Sequence, residues 1–334
     1  MPDAGCDKTP NSAKVAKLVK PTLLLACDFS DRFKDILSEN YKISSPAAVR
    51  QIEVAAIRFD GVEALVTKGG IKQNQQIIDA SPDLGMVAFF GTGFEGIDLA
   101  AASARDLVVT HSPGANASSV ADFAMAQILA STRQILAADR FVRDGKWVSN
   151  ALVSMPAVAG VKGAKLGIFG LGAIGCKVAQ RAAIFEMDIG YFSRARKKEQ
   201  PYRYLPSLEQ LADWADILLV AARADCNNRH IIGSDIISRL GTSGYIVNIA
   251  RGSLIDSAAL AKALEQEAIA GAALDVFENE PHVSERLLNA PNLILSPHIA
   301  YATVEAREAQ EDMVLANLKA YFAGAAVPNP VIKV

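Results

Sequence analysis

Residues 165–175 read KLGIFGLGAIG, and this stretch decides the fold. The apolar run Leu166–Phe169 leads into Gly170, Gly172 and Gly175, followed by Val178, Ala179, Ala182 and Phe185 at helical spacing. That order is strand, glycine turn, helix. The first glycine permits the tight turn, the second lets a pyrophosphate approach the backbone, and the third lets helix and strand pack closely. The phosphates then sit at the positive end of the helix. Glycine spacing alone is common; the flanking strand and helix are what make it a dinucleotide cradle. Gly170, Leu171, Gly172, Ala173, Ile174 and Gly175 are therefore the candidate cofactor turn.

Toward the C-terminus, further apolar runs recur at Asp188–Phe192, Ile217–Val220, Tyr245–Ile249, Ala272–Val276 and Leu293–Leu295. Helices fit between them, one near Asp256–Gln266. Six strands so spaced predict a doubly wound parallel sheet. Toward the N-terminus a second series alternates strands at Thr22–Asp28, Ala64–Thr67, Met86–Phe90 and Leu107–Thr110 with helices near Pro46–Arg58, Gln73–Ala80 and Ile97–Arg105. It predicts a parallel sheet of its own.

Between the two series a helix is expected from about Ala117 to Asp144, capped by Ser118 or Ser119 and ended by Gly145. It is too long for one small core and reads as a bridge between domains. The arm from Lys146 to Gly163 carries Trp147, Leu152, Met155 and Pro156, apolar groups that a partner subunit would cover. A last amphipathic helix, Thr303 to Phe322, is stopped by Gly324 and is expected to return to the first domain. The expected organisation is a loose tail at 1–20, a discontinuous substrate domain at 21–117 and 302–334, and a dinucleotide domain at 118–301. The ligand cleft is expected between the two domains.

A length of 334 residues suits two such domains. The net charge of −2 argues against a general nucleic-acid or anionic-membrane binder. No apolar run is long enough to span a bilayer, and the N-terminus lacks a signal core. Cys6, Cys27, Cys176 and Cys226 form no CxxC and match no metal spacing. They read as reduced thiols of a cytoplasmic protein without a metal.

The second strand of the glycine-turn domain ends GYFSRARKK. Where an NAD site of this kind carries an acid for the ribose 2′-hydroxyl, this chain has Phe192 or Ser193, then Arg194, Arg196, Lys197 and Lys198. Hydroxyl, guanidinium and ammonium groups suit a 2′-phosphate. NADP(H) is therefore expected over NAD(H), with Ser193 and Arg194 as direct contacts and Lys197 as a third.

Three stretches stand at or beyond strand ends, where open α/β sheets bind ligands. VNIARGSLID carries Ala250 and Arg251, GAALDVFENEP carries Asp275, Glu278 and Glu280, and LILSPHIA carries His298. Hydride transfer to a carbonyl leaves negative charge on oxygen that needs a proton. An unperturbed imidazole titrates near about 6.5 and can supply one. A planar guanidinium suits a carboxylate and carbonyl together.

With these stretches in view, the chain resembles the D-isomer-specific 2-hydroxyacid dehydrogenase family. The resemblance runs from residue 22 to 334 and rests on GTGFEGIDLAAA, HSPGANASSVADFAM, GLGAIG, NIARG, ALDVFENEP and SPHIA, in that family's order. It is strongest to the NADPH-dependent glyoxylate, hydroxypyruvate and hydroxyphenylpyruvate reductases, which share the SRxxK ending. The resemblance implies a flavodoxin-like substrate domain beside a Rossmann dinucleotide domain, a homodimer, and a D-2-hydroxy acid product. It implies His298 as acid/base, Glu280 as the carboxylate orienting it, and Arg251 as the group that binds the substrate carboxylate. Asp275 is placed near the nicotinamide, Ala250 and His298 are further cofactor contacts, and Thr67-Lys68-Gly69-Gly70 corresponds to the substrate-carboxylate loop, with Lys68, Gly69 and Gly70 as contacts.

The departures are Tyr301, where the family has a small residue after the histidine, and the arm VSNALVSMP, which offers Leu152 and Met155 in place of an aromatic. Both widen the expected substrate from glyoxylate or hydroxypyruvate to a larger or more apolar 2-keto acid, an aromatic one included, with Tyr301 as a candidate substrate contact. The alternatives are a dinucleotide-sensing binding protein of the corepressor kind, and a dehydrogenase for another acid such as formate or a sugar acid. Formate has no hydroxyl proton to lose, so the Glu280 and His298 pair argues against it.

Overall fold

The computed structural model describes residues 20–44, 58–71, 73–148, 155–225 and 227–331. The N-terminal tail, nearly all of the helix expected at Pro46–Arg58, Leu152 of the arm, Cys6 and Cys226 lie outside the described residues. The chain divides into two compact units, Met1–Ser112 with Glu311–Val334, and Pro113–Gln310. The junctions thus fall at 112/113 and 310/311 rather than 117/118 and 301/302, the second inside the last helix.

In the first unit, strands β1 (Thr22–Leu25), β2 (Lys42–Ser44), β3 (Ala64–Thr67), β4 (Met86–Phe89) and β5 (Val108–Thr110) form one parallel sheet in the order β2-β1-β3-β4-β5. This is the flavodoxin-like order, whose direction of winding switches between β1 and β3. Every residue of β3 and β4 is buried, because both faces of the sheet are covered. On one face Phe33 and Leu37 of the helix Asp31–Asn40 pack with Val314 and Leu318 of the helix Val304–Phe322. The Asp31–Asn40 helix was not anticipated. Its signal is the N-cap Ser30, whose Oγ accepts the Phe33 N–H at 3.1 Å.

In the second unit, β6 (Lys165–Phe169), β7 (Asp188–Phe192), β8 (Arg203–Tyr204), β9 (Ile217–Val220), β10 (Tyr245–Asn248), β11 (Gly271–Leu274) and β12 (Leu293–Leu295) form a parallel sheet. Their order is β12-β11-β10-β9-β6-β7-β8, the doubly wound dinucleotide topology with its switch between β6 and β9. The six expected strands are present. β8 is a seventh, a two-residue edge strand too short to leave a periodic signal.

One continuous helix from Ala117 to Asp144 does not form. The chain makes two helices, Ala117–Thr132 and Ile135–Arg143, broken where Gln134 turns left-handed at φ 51°. The first buries Val120, Ala121, Ala124 and Ile128 in the core of its unit; the second buries nothing within this chain. The break falls where core packing ends, and the sequence changes there too, from a nearly uncharged apolar stretch to one carrying Asp139, Arg140 and Arg143. Gly145, at φ 69°, follows the second helix as expected. The cap also differs: Asn116 precedes the first helix, and Ser118 and Ser119 lie within its first turn. Ser118 Oγ accepts from Arg181, and Ser119 Oγ shares a hydrogen with Thr303. Phe185 leaves the packed face of the Ala173–Ile184 helix; it caps that helix and is exposed, while Val178, Ala179 and Ala182 are fully buried.

Candidate functional site

The glycine turn has the shape its spacing predicts. A Cβ on Gly170 would stand 2.5 Å from the Ala222 backbone, and one on Gly175 would run into the Gly170 carbonyl, so protein packing demands both glycines. A Cβ on Gly172 would meet nothing within 4 Å. The space outside Gly172 is open, and the helix beginning at Ala173 has no side-chain cap on its first N–H groups. Free donors beside open space fit a diphosphate. Leu171 is buried, which anchors the turn.

The basic loop beyond β7 is built by a residue the sequence did not single out. Tyr191 is fully buried, and its hydroxyl accepts the Lys197 N–H at 2.8 Å and donates to the Lys197 carbonyl at 3.2 Å. Ser193 Oγ donates to the Ala195 carbonyl at 2.8 Å, closing the turn that carries Arg194. Arg194 projects outward, with Nη1 3.6 Å from Asp225 Oδ2.

Arg251, Asp275 and His298 follow the ends of β10, β11 and β12, three adjacent strands of one sheet. Asn248, buried at the end of β10, accepts the Ala250 N–H with Oδ1 and donates from Nδ2 to the Arg251 carbonyl, both at 3.0 Å. Arg251 in turn donates from Nη1 to the Ala250 carbonyl at 2.7 Å. Gly252 lies so close to the Phe277 backbone that no side chain fits there. That approach brings the Arg251 loop against the segment bearing Glu280.

His298 Nδ1 is 2.8 Å from Glu280 Oε2, and the other oxygen of Glu280 accepts the Phe277 N–H at 3.0 Å. Burial pushes the Glu280 carboxyl up, but the His298 and Phe277 hydrogen bonds and the charges of His298 and Arg251 outweigh it, leaving a net lowering. The pairing leaves Nε2 of His298 as the imidazole nitrogen without a hydrogen bond among the described residues. Tyr301 meets the imidazole edge-on, with ring centroids 5.9 Å apart.

His298 itself is left-handed, at φ 54°, a conformation costly for a side-chain-bearing residue. Asp275 holds it there. Its carbonyl accepts the His298 N–H at 2.8 Å, and its buried carboxylate accepts the N–H groups of Ile299 and Ala300 at 3.0 and 2.9 Å and the Ser296 hydroxyl at 2.6 Å. Gln127 donates to that hydroxyl from the Ala117–Thr132 helix at 3.2 Å. The contacts seen at Asp275 are thus to the loop bearing His298.

Glu278 and Glu280 go to different histidines. Glu278 Oε2 is 2.6 Å from His230 Nε2 and 3.0 Å from Arg229, and its Oε1 accepts the Ser257 N–H at 3.1 Å. His111, in the first unit, has Nδ1 3.1 Å from the Thr92 carbonyl and packs edge-on against Phe94.

Lys68, Gly69 and Gly70 form a turn at the end of β3, beside the winding switch of the first unit's sheet. Buried Asn74 fixes the turn, donating from Nδ2 to the Lys68 carbonyl at 2.8 Å. The Lys68 ammonium lies over the rings of Phe29 and Phe90, 5.5 and 5.6 Å from their centroids. Gly70 faces open space. Among the described residues no group of His, Cys, Asp and Glu could hold a metal ion, and no helix is long and apolar enough to cross a membrane.

Comparison with known proteins agrees with this architecture. Residues 125–300 match the D-isomer specific 2-hydroxyacid dehydrogenase, NAD binding domain family. A glyoxylate/hydroxypyruvate reductase A of Arabidopsis thaliana is 35% identical over 314 residues, covering 93% of this chain and 98% of that protein. A hydroxyphenylpyruvate reductase of Plectranthus scutellarioides has the same identity and coverage. Among solved structures, an NADPH-dependent glyoxylate/hydroxypyruvate reductase from Sinorhizobium meliloti, in complex with NADP and malonate, is 34% identical with a TM-score of 0.83, over 94% of this chain and 97% of that one.

Proposed function

The chain belongs to the D-isomer specific 2-hydroxyacid dehydrogenase family, and we propose that it reduces a 2-keto acid to the D-2-hydroxy acid with NADPH, His298 acting as general acid. The observation that carries this is the Glu280–His298 pair at 2.8 Å, near the Arg251 charge and at the carboxyl ends of the same sheet's strands as the glycine turn.

Gly170–Gly175 would hold the diphosphate of NADPH and Ser193, Arg194 and Lys197 its 2′-phosphate, and the reduced nicotinamide would supply the hydride. Arg251 binds the substrate carboxylate and polarises the keto oxygen. As negative charge develops on that oxygen, His298 donates the proton from Nε2, while Glu280 on Nδ1 holds the ring's orientation and stabilises the imidazolium. Asp275, through the loop backbone, keeps His298 in its strained conformation. In the first unit, the Lys68-Gly69-Gly70 turn is the proposed carboxylate loop. Tyr301, against the imidazole, adds an aromatic surface that a larger or aromatic substrate side chain would contact.

We further propose a cytoplasmic homodimer. The helix Ile135–Arg143 buries none of its residues, and Ile135, Leu136, Val142, Trp147 and Val148 stand exposed on and just after it.

The test is oxidation of NADPH and NADH with glyoxylate, hydroxypyruvate, pyruvate, 2-ketobutyrate, phenylpyruvate and 4-hydroxyphenylpyruvate. Turnover with NADPH above NADH is expected, and the best acid defines the pocket near Tyr301. Oxidation with none of them would sink the reading and turn attention to sugar acids or binding without turnover.

A further inference from the structure

The end of β7 lacks an acid, yet one reaches the same loop from another strand. Asp225 lies in the segment that runs on from β9, and its Oδ2 stands 3.6 Å from Nη1 of Arg194. The carboxylate is held in place. Its Oδ1 accepts the Asn227 N–H at 2.9 Å, the Asp225 N–H donates to Asn228 Oδ1 at 2.8 Å, and Asn228 Nδ2 donates to the Arg223 carbonyl at 2.8 Å. Such side-chain-to-backbone closure fixes both a turn and the side chain that makes it. Earlier in the same segment, the backbone of Ala221 and Ala222 packs against Gly170, so the segment borders the cofactor turn. Arg194, by contrast, has 85% of its side chain exposed.

Resting on the dinucleotide reading above, we propose that Asp225 is a cofactor-specificity residue, supplying from β9 the carboxylate that the end of β7 lacks. A ribose 2′-phosphate gains the Arg194 guanidinium but is opposed by the Asp225 charge. A 2′-hydroxyl can donate to Asp225 while Arg194 keeps its partner. Specificity is a difference between two affinities, and Asp225 acts on both with opposite sign. The site therefore accepts both cofactors, and its preference for the phosphorylated one is narrower than the basic loop alone would give.

The experiment is calorimetric titration of the full chain with NADP+, NAD+, adenosine 2′,5′-bisphosphate and 5′-AMP, which needs no substrate and no turnover. Asp225→Asn keeps the Oδ1 acceptor for Asn227 and removes the charge. It is expected to tighten NADP+ and the bisphosphate about fivefold, the size of one exposed charge interaction, and to weaken NAD+. The gain shrinks at high salt. Asp225→Ala must move the NADP+/NAD+ ratio the same way, which separates charge from any disturbance of the turn. Arg194→Ala is expected to weaken NADP+ and leave NAD+ unchanged. If Arg194→Ala weakens NADP+ while both Asp225 variants leave the ratio unmoved, the Asp225 proposal is wrong and the dinucleotide reading stands. If Arg194→Ala leaves NADP+ untouched, the 2′-phosphate is held elsewhere and the Asp225 proposal is wrong; if the wild-type chain binds neither nucleotide, the dinucleotide reading is wrong as well.

Discussion

Glu278 and Glu280 are two residues apart, and the fold gives them different work. Glu280 lies against His298, so His298→Ala is expected to lower kcat/KM by about 10²–10⁴-fold, as for loss of a general acid, with NADPH binding retained in a fluorescence titration. Equal loss of cofactor binding would show a structural defect instead. Glu278 lies against His230 and ties the loop bearing both acids to the Ser257–Glu265 helix. Burial pushes the Glu278 carboxyl up, but hydrogen bonds from His230 and Ser257 and the His230 charge bring it net below the ordinary glutamate range. A carboxyl lowered by folding adds stability above its unfolded pKa, about 4.3, and loses it as pH falls through the lower folded value. Wild type should therefore melt above Glu278→Gln at neutral pH, with the gap closing only below about pH 4. A gap independent of pH would show that packing, not charge, sets it.

The strand–turn–helix at 165–184 is the element on which cofactor binding turns, and its glycines separate two requirements. Gly172→Ala meets nothing in the protein, so the melting temperature should hold while NADPH binding weakens severalfold. Gly175→Ala drives a methyl into the Gly170 carbonyl and should cost about 1–3 kcal/mol of stability before any ligand is added. Chemical denaturation beside a binding titration checks both, and equal stability loss in the two variants would refute this division. Elements with strong local signals matched their expected positions: β3, β7, β9 and β12 begin and end at the residues their apolar runs predict. The helix expected over Ala117–Asp144 did not, because its two halves meet different surroundings. The half before Gln134 is apolar nearly all round, the half after it is amphipathic and carries Asp139, Arg140 and Arg143, and only the first half has a core to pack against.

At the scale of the molecule, the unburied Ile135–Arg143 helix carries the expectation of a dimer. Leu136→Glu with Val142→Glu should convert a dimer to a monomer in sedimentation velocity, with the far-ultraviolet spectrum unchanged. A wild-type chain that sediments as a monomer at micromolar concentration would end that proposal.

The sequence by itself determined the two parallel sheets and the glycine turn, and it put Arg251, His298 and the two acids Glu278 and Glu280 at or beyond strand ends, with Glu280 preferred through the family resemblance. Those features live in short stretches whose spacing and side-chain type are their physics: buried strands read as apolar runs, and tight turns need glycine. Tertiary structure alone decided which acid meets which histidine, that Asp275 and Gln127 brace the loop of His298, that Tyr191 builds the basic loop, and that Asp225 stands beside Arg194. Each of these joins residues on different strands or loops of the sheet, or folds a loop back on its own strand. Such contacts exist only once strand order and register bring the partners together, and neighbours along the chain carry no trace of them.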